Sequence, residues 1–296
     1  MEKENKPISN DTKEKEYKKF INFGKLYPFE STFFSNEENL IDEIKKDIEK
    51  KFKNSDKYII DTRFDAKSNK IIPREEKLTY TKIDSSDDYF FGTFIRTSNS
   101  QDVLTNIKYN ESNEKIDPNQ IYFEYNTLFY IDYKNRAISF IKTEHIRNVY
   151  PFLETFFNNN NFLNVKIAPL IKSEEEIKQS IITKVDIAFS RVSINPNVNF
   201  VEMKNLEQMG CKVKNYKITV SLEEVKNNFA NKLLNFRNQN KDNVKKMSIS
   251  TLNEDIDLLT NTYTKSVPIK LTNNYEEDYN VIENILREEL FKAIQG

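Results

Sequence analysis

The sequence predicts an α+β protein: mixed, largely antiparallel sheets with capped helices packed on them, in two subdomains. Three observations carry this prediction. Short β-rich runs and helical stripes follow one another without a strict βαβ repeat. Ser/Thr-x-x-Glu capping signals precede several apolar stripes. A 38% hydrophobic content, with 22 Phe and 15 Tyr, supports a sizeable core.

Residues 1–19 are rich in charge and hold almost nothing apolar, so they read as a flexible tail. Ser35 and Glu38 form a capping-box pattern, and Leu40, Ile41, Ile44, Ile48 and Phe52 then recur at helical spacing. Residues 57–64, 77–83 and 90–97 read as strands, and the polar, Asn/Ser-rich stretch 98–119 as a long loop. A hairpin is expected from 121–133 and 137–143, joined at Lys134–Asn135–Arg136. Pro151 suits the first turn of a short helix carrying Phe152, Leu153, Phe156 and Phe157.

From there the pattern is more regular. Residues 164–171 read as a strand, and Ser173 with Glu176 caps a helix running toward Ile177, Ile181 and Ile182. Residues 184–192 alternate, with Val185, Ile187 and Phe189 on one face and Asp186 and Ala188 on the other. A strand at 215–222 runs into Ser221–Glu224, a third capping pattern opening a helix with Leu222, Val225, Phe229, Leu233 and Leu234 on one side. Strands near 246–251 and 267–271 and a helix over 275–294 close the chain. The expected division is a tail at 1–19, an N-terminal α+β part at 20–120 and a C-terminal α+β part at 121–296.

Composition narrows the chemistry. One His, one Cys and four Gly leave few routes to imidazole, thiolate or phosphate-loop catalysis. His145 reads as a surface or helix-start residue and Cys211 as an inert thiol. A zinc site built on His and Cys lacks its ligands. A carboxylate site for Mg²⁺ could draw on Asp87–Asp88, Asp255–Asp257 or Glu276–Glu277–Asp278, which read more simply as loop acids or first-turn helix acids. No catalytic residue, cofactor or metal is therefore expected, and the chain reads as non-enzymatic. With 45 Lys+Arg against 46 Asp+Glu, any basic surface must be local. A single Cys, the absence of an apolar run near 20 residues and a polar N-terminus read as a soluble cytoplasmic protein.

One local surface stands out. Residues 212–246 hold nine Lys or Arg against three acids, whereas 247–296 hold four against nine. Lys226, Lys232 and Arg237 avoid the apolar stripe of their helix, and Lys241, Lys245 and Lys246 extend the basic run, with Asn238, Gln239 and Asn240 between. Nonspecific phosphate binding needs such cations, because they release counterions, while Asn and Gln donate to phosphate oxygens. The plainer reading is a solubilising face.

The order of elements resembles the RexA-like phage-exclusion proteins, the DNA-binding components of the phage lambda exclusion system and related prophage proteins. The resemblance spans about 121–296. It rests on Val165, Ile167, Pro169 and Leu170, the polar strand before a lysine-bearing helix, Asp257, Leu259, Thr260 and Tyr263, and the long closing helix. It implies a cytoplasmic homodimer that binds double-stranded DNA with little sequence preference, senses phage DNA in abortive infection and signals to a membrane effector. The charged tail at 1–19 and the stretch 98–119 depart from that pattern. Two rivals stand beside it: a carboxylate-metal nuclease acting on DNA or RNA, and a protein–protein adaptor or viral inhibitor without nucleic-acid contact.

Overall fold

The computed structural model describes residues 15–28, 37–64, 74–99, 122–144, 146, 149–158, 165–190, 215–223, 228–241, 244–272 and 274–295. The fold is α+β with mostly antiparallel sheets, and the chain forms two compact units, 1–168 with 268–296, and 169–267. The division departs from the expected boundary at 120/121, because the strands on either side of that point pair with each other along their whole length.

In the first unit the strands are β1 (Lys15–Pro28), β2 (Lys57–Phe64), β3 (Arg74–Ser85), β4 (Tyr89–Asn99), β5 (Tyr122–Asp132), β6 (Ala137–Lys142) and β7 (Val165–Pro169). Their order is β2-β3-β4-β5-β6-β1, with β7 on β1. β1 begins at Lys15, so residues 15–19 belong to a strand and not to a tail. Burial at Ile21, Phe23 and Leu26 and antiparallel pairing with β6 hold it.

Helix α1 (Glu37–Phe52) buries the expected stripe of Leu40, Ile44, Ile48 and Phe52, and α2 (Tyr150–Asn158) buries Leu153, Phe156 and Phe157. Both helices pack on one sheet face. The Phe52 and Phe90 rings stand 5.4 Å apart and those of Phe156 and Tyr80 4.6 Å apart. The Tyr80 hydroxyl donates to the Phe152 carbonyl at 2.6 Å, so this buried phenol is satisfied. The closing helix of the chain, Tyr275–Gln295, covers the opposite face with Ile282, Leu286 and Leu290, and accepts at the Leu286 carbonyl from Ser139 Oγ at 3.0 Å. Covered on both sides, β6 buries every residue from Ala137 to Ile141.

The second unit contains α3 (Glu174–Gln179), β8 (Lys184–Ser190), β9 (Asn215–Ser221), α4 (Phe229–Gln239), β10 (Val244–Ser250), β11 (Glu254–Asp257) and the first residues of β12 (Tyr263–Leu271), which leads back to the closing helix, α5. Its strand order is β12-β11-β10-β8-β9. Helix α3 opens with the expected capping box, Ser173 and Glu176 bonding reciprocally, but ends at Gln179, before Ile181 and Ile182. The third capping pattern does not open a helix at Ser221. That residue ends β9, and α4 starts at Phe229 behind Asn228, whose φ of 77° lies in the left-handed region. Ile177, Val185, Ala230, Leu233, Leu234, Met247 and Ile249 form the core between α3, α4 and one face of the sheet.

Candidate nucleic-acid interface

Strand pairing decides where the basic residues of the second unit go. Val185 and Phe189 lie under the helices, so Lys184, Asp186 and Ala188 line the opposite face of β8. On that face Lys217 of β9 and Lys246 of β10 flank Ala188 in register. Two inter-strand spacings set their backbones about 10 Å apart. A second row runs Thr219, Asp186, Ser248, Asp257. The register slips between Val244 and Lys246, so Lys245 is an extra, bulged residue. As a result Lys245 and Lys246 are both exposed, although they are neighbours in a strand whose Val244 and Met247 are buried. The Val244 N–H donates to the Asn240 carbonyl at 3.1 Å, closing the turn that carries the exposed Lys241.

The other expected contacts fare differently. Lys226 lies outside the described residues. Lys232 is exposed, but the buried side of α4 is Ala230, Leu233, Leu234 and Arg237, which turns Lys232 away from the sheet. It therefore stands on the opposite side of this unit from Lys246. Arg237 is a correction to the sequence reading. It is 8% exposed and belongs to the core. Its Nη2 donates to Glu174 Oε1 at 2.5 Å, and its Nη1 to the Leu258 carbonyl and Asn261 Oδ1, both at 3.1 Å. A guanidinium on the inner side of an amphipathic helix is retained only when such partners surround it. Asn238 and Asn240 are likewise engaged, Asn238 Oδ1 accepting from Arg237 Nε and Asn240 Nδ2 donating to the Phe236 carbonyl.

Asp186 sits among the cations of that face. Lys184 Nζ lies 2.8 Å and Lys217 Nζ 3.2 Å from its carboxylate, and Thr219 Oγ1 donates to it. The hydrogen bond from Lys184, followed by those from Thr219 and Lys217, holds the Asp186 carboxyl well below the usual range. Lys217 is 61% exposed despite this pairing. Asp186 is 14% exposed and keeps Lys184 and Thr219 as partners when the Lys217 ammonium turns to another anion.

Among the carboxylates named from sequence, Asp257 Oδ1 accepts from the Leu259 N–H, and Asp278 Oδ1 accepts from the Thr272 N–H and hydroxyl at the start of α5. Among the described residues no three His, Cys, Asp or Glu side chains converge as a metal site. His145 and Cys211 lie outside the described residues. Among the described residues no helix is long and apolar enough to cross a membrane. The missed features, Lys217 opposite Lys246 and the bulge, left one trace in the sequence: Val-Lys-Lys-Met at 244–247 breaks strict alternation by one residue.

The class these observations define is an α+β protein whose second unit carries a polar sheet face with a cationic row. No protein-family model matches the chain, and no curated protein matches it.

Proposed function

We propose that this chain is a non-enzymatic DNA-binding protein with little sequence preference, a cytoplasmic homodimer that serves as a sensor in phage exclusion upstream of a membrane effector. One observation supports the DNA-binding reading above the others: the β10 bulge turns Lys245 and Lys246 outward together, in line with Lys217, and the exposed Lys241 stands in the turn that leads into the strand. Lys217, Lys245 and Lys246 on the face, Lys241 in the adjoining turn and the Thr219, Ser248 and Ser250 hydroxyls between strands suit a phosphate backbone. The biological role rests on the resemblance of 121–296 to the exclusion proteins.

Fluorescence anisotropy with random-sequence duplex DNA tests the interface. Four phosphate contacts give a log–log salt slope near −3.6, or roughly a 150-fold loss of affinity between about 50 and 200 mM salt. Lys245→Glu and Lys246→Glu should each flatten that slope by about one, and Lys232→Glu, on the opposite side of the unit, should leave it unchanged. No binding to duplex DNA at micromolar protein ends the proposal, as does an equal effect of all three substitutions.

A further inference from the structure

We propose that a cleft in the first unit is a binding site for a small phosphorylated polyhydroxy compound of the sugar-phosphate class. The cleft has a volume of about 610 Å³ and lies between α1 and the β3–β4 turn, with Lys45, Glu49, Lys53, Lys82, Ser86 and Asp87 as its charged and polar lining. That volume is within the range of small-molecule sites.

Each wall follows from the local structure. Lys45, Ile48, Glu49 and Phe52 share one face of α1 by their i, i+3, i+4, i+7 spacing. Lys82 shares the strand face of the buried Tyr80, so it points toward the helices. A bulge between Lys82 and Asp84 then bends the chain into the turn that carries Ser85, Ser86 and Asp87.

Three ammonium groups in one concavity favour a ligand bearing a dianion. Lys82 Nζ stands 3.9 Å from Asp56, itself 75% exposed, and such a loose surface pair gives way readily to a phosphate. Ser86 Oγ accepts the Asp88 N–H at 3.1 Å, which leaves its own hydrogen to donate. Glu49 and Asp87 set a second requirement. Carboxylates beside an anion site need hydroxyl or amine hydrogens from the ligand, so a bare inorganic anion fits poorly. A stacked nucleobase fits no better, because both rings of the floor are already engaged. Lys45 Nζ lies 5.2 Å from the Tyr133 centroid, and Phe52 packs against Tyr58, Phe90 and Phe156. A phosphate on a hydroxyl-rich body matches the remaining donors and acceptors.

Isothermal titration of the full chain with ribose 5-phosphate, ribose and inorganic phosphate tests the assignment. Ribose 5-phosphate should bind with a dissociation constant below about 1 mM, and at least about tenfold more tightly than either fragment. Lys53→Gln and Lys82→Gln should each weaken it about tenfold, with unchanged urea midpoints because both ammonium groups reach solvent. Absence of binding by ribose 5-phosphate, equal affinity for a fragment, or full affinity in both Lys variants overturns the proposal.

Discussion

Truncating Arg237 to Ala separates a core role from a phosphate-binding one. The guanidinium ties α3 to α4 through Glu174 and reaches the Leu258 carbonyl and Asn261 at the far side of the second unit's core. Removing it strips the Leu258 carbonyl and Asn261 Oδ1 of a charged donor, a loss of about 1–3 kcal/mol. The aliphatic stem leaves packing worth about 1 kcal/mol more. Glu174 adds little, because its side chain is 42% exposed and water replaces its partner, a change of about 0–1 kcal/mol. The expected total is therefore about 2–5 kcal/mol, against at most about 1 kcal/mol for Glu174→Gln. Urea unfolding, with hydrogen exchange read at the β8 and β10 amides, measures both and assigns the loss to the second unit. The reasoning is refuted if Arg237→Ala keeps the wild-type midpoint and instead lowers the salt slope of DNA binding by one, as a solvated phosphate contact does.

Two further outcomes follow from the same structure. Gly92→Ala should destabilise the first unit by about 1–3 kcal/mol in thermal unfolding, because the new methyl meets the Thr81 carbonyl oxygen at 2.5 Å and Phe90 Cε1 at 2.8 Å, and a backbone oxygen in a central strand pair cannot step aside. An unchanged melting temperature refutes that steric argument. For Asp186 the folded carboxyl is held below its ordinary value, so the native state binds fewer protons than the unfolded one in acid. The stabilisation is complete above about pH 4 and is lost as pH falls toward the lowered folded value. Wild type should therefore lose urea resistance between about pH 4 and 2 faster than Asp186→Asn, and parallel profiles count against the reading.

What could be read from sequence was whatever a local pattern alone determines. The stripe Leu40, Ile44, Ile48, Phe52 forms α1 because one helical face must be buried, and the bounds 57–64 of β2 coincide with an apolar, β-branched run. Ser173 and Glu176 cap α3 as expected, since both bonds of the box lie within four residues. β1 was invisible over 15–19 because its charged residues show no alternation, and the strand is anchored further on, where Phe20–Lys25 pair with β6, more than 100 residues along the chain. β11 has only four residues, Glu-Asp-Ile-Asp, and exists because β10 and β12 bond to it from both sides. Ser221 carried a genuine capping pattern, yet β9 continues through it, pairing it with Lys184 of β8. Where a partner strand supplies the hydrogen bonds, local propensity is overruled.

The candidate interface shows the same limit in electrostatic form. A count of +6 over 212–246 treats every cation as available, whereas the fold puts those among the described residues in different environments. Arg237 is drawn inward by Glu174, Lys217 is shared with Asp186, and Lys232 projects from the helix side of the unit. What stays on the sheet face is Lys245 and Lys246, joined by Lys217 once Asp186 releases it, with Lys241 in the turn before β10. The determinant is the β10 bulge, because without the extra residue Lys245 would face the core side of the strand, beside Met247. Deleting Lys245 to restore regular pairing should therefore cost more DNA affinity than Lys245→Gln, since it moves the turn carrying Lys241 as well as removing a charge.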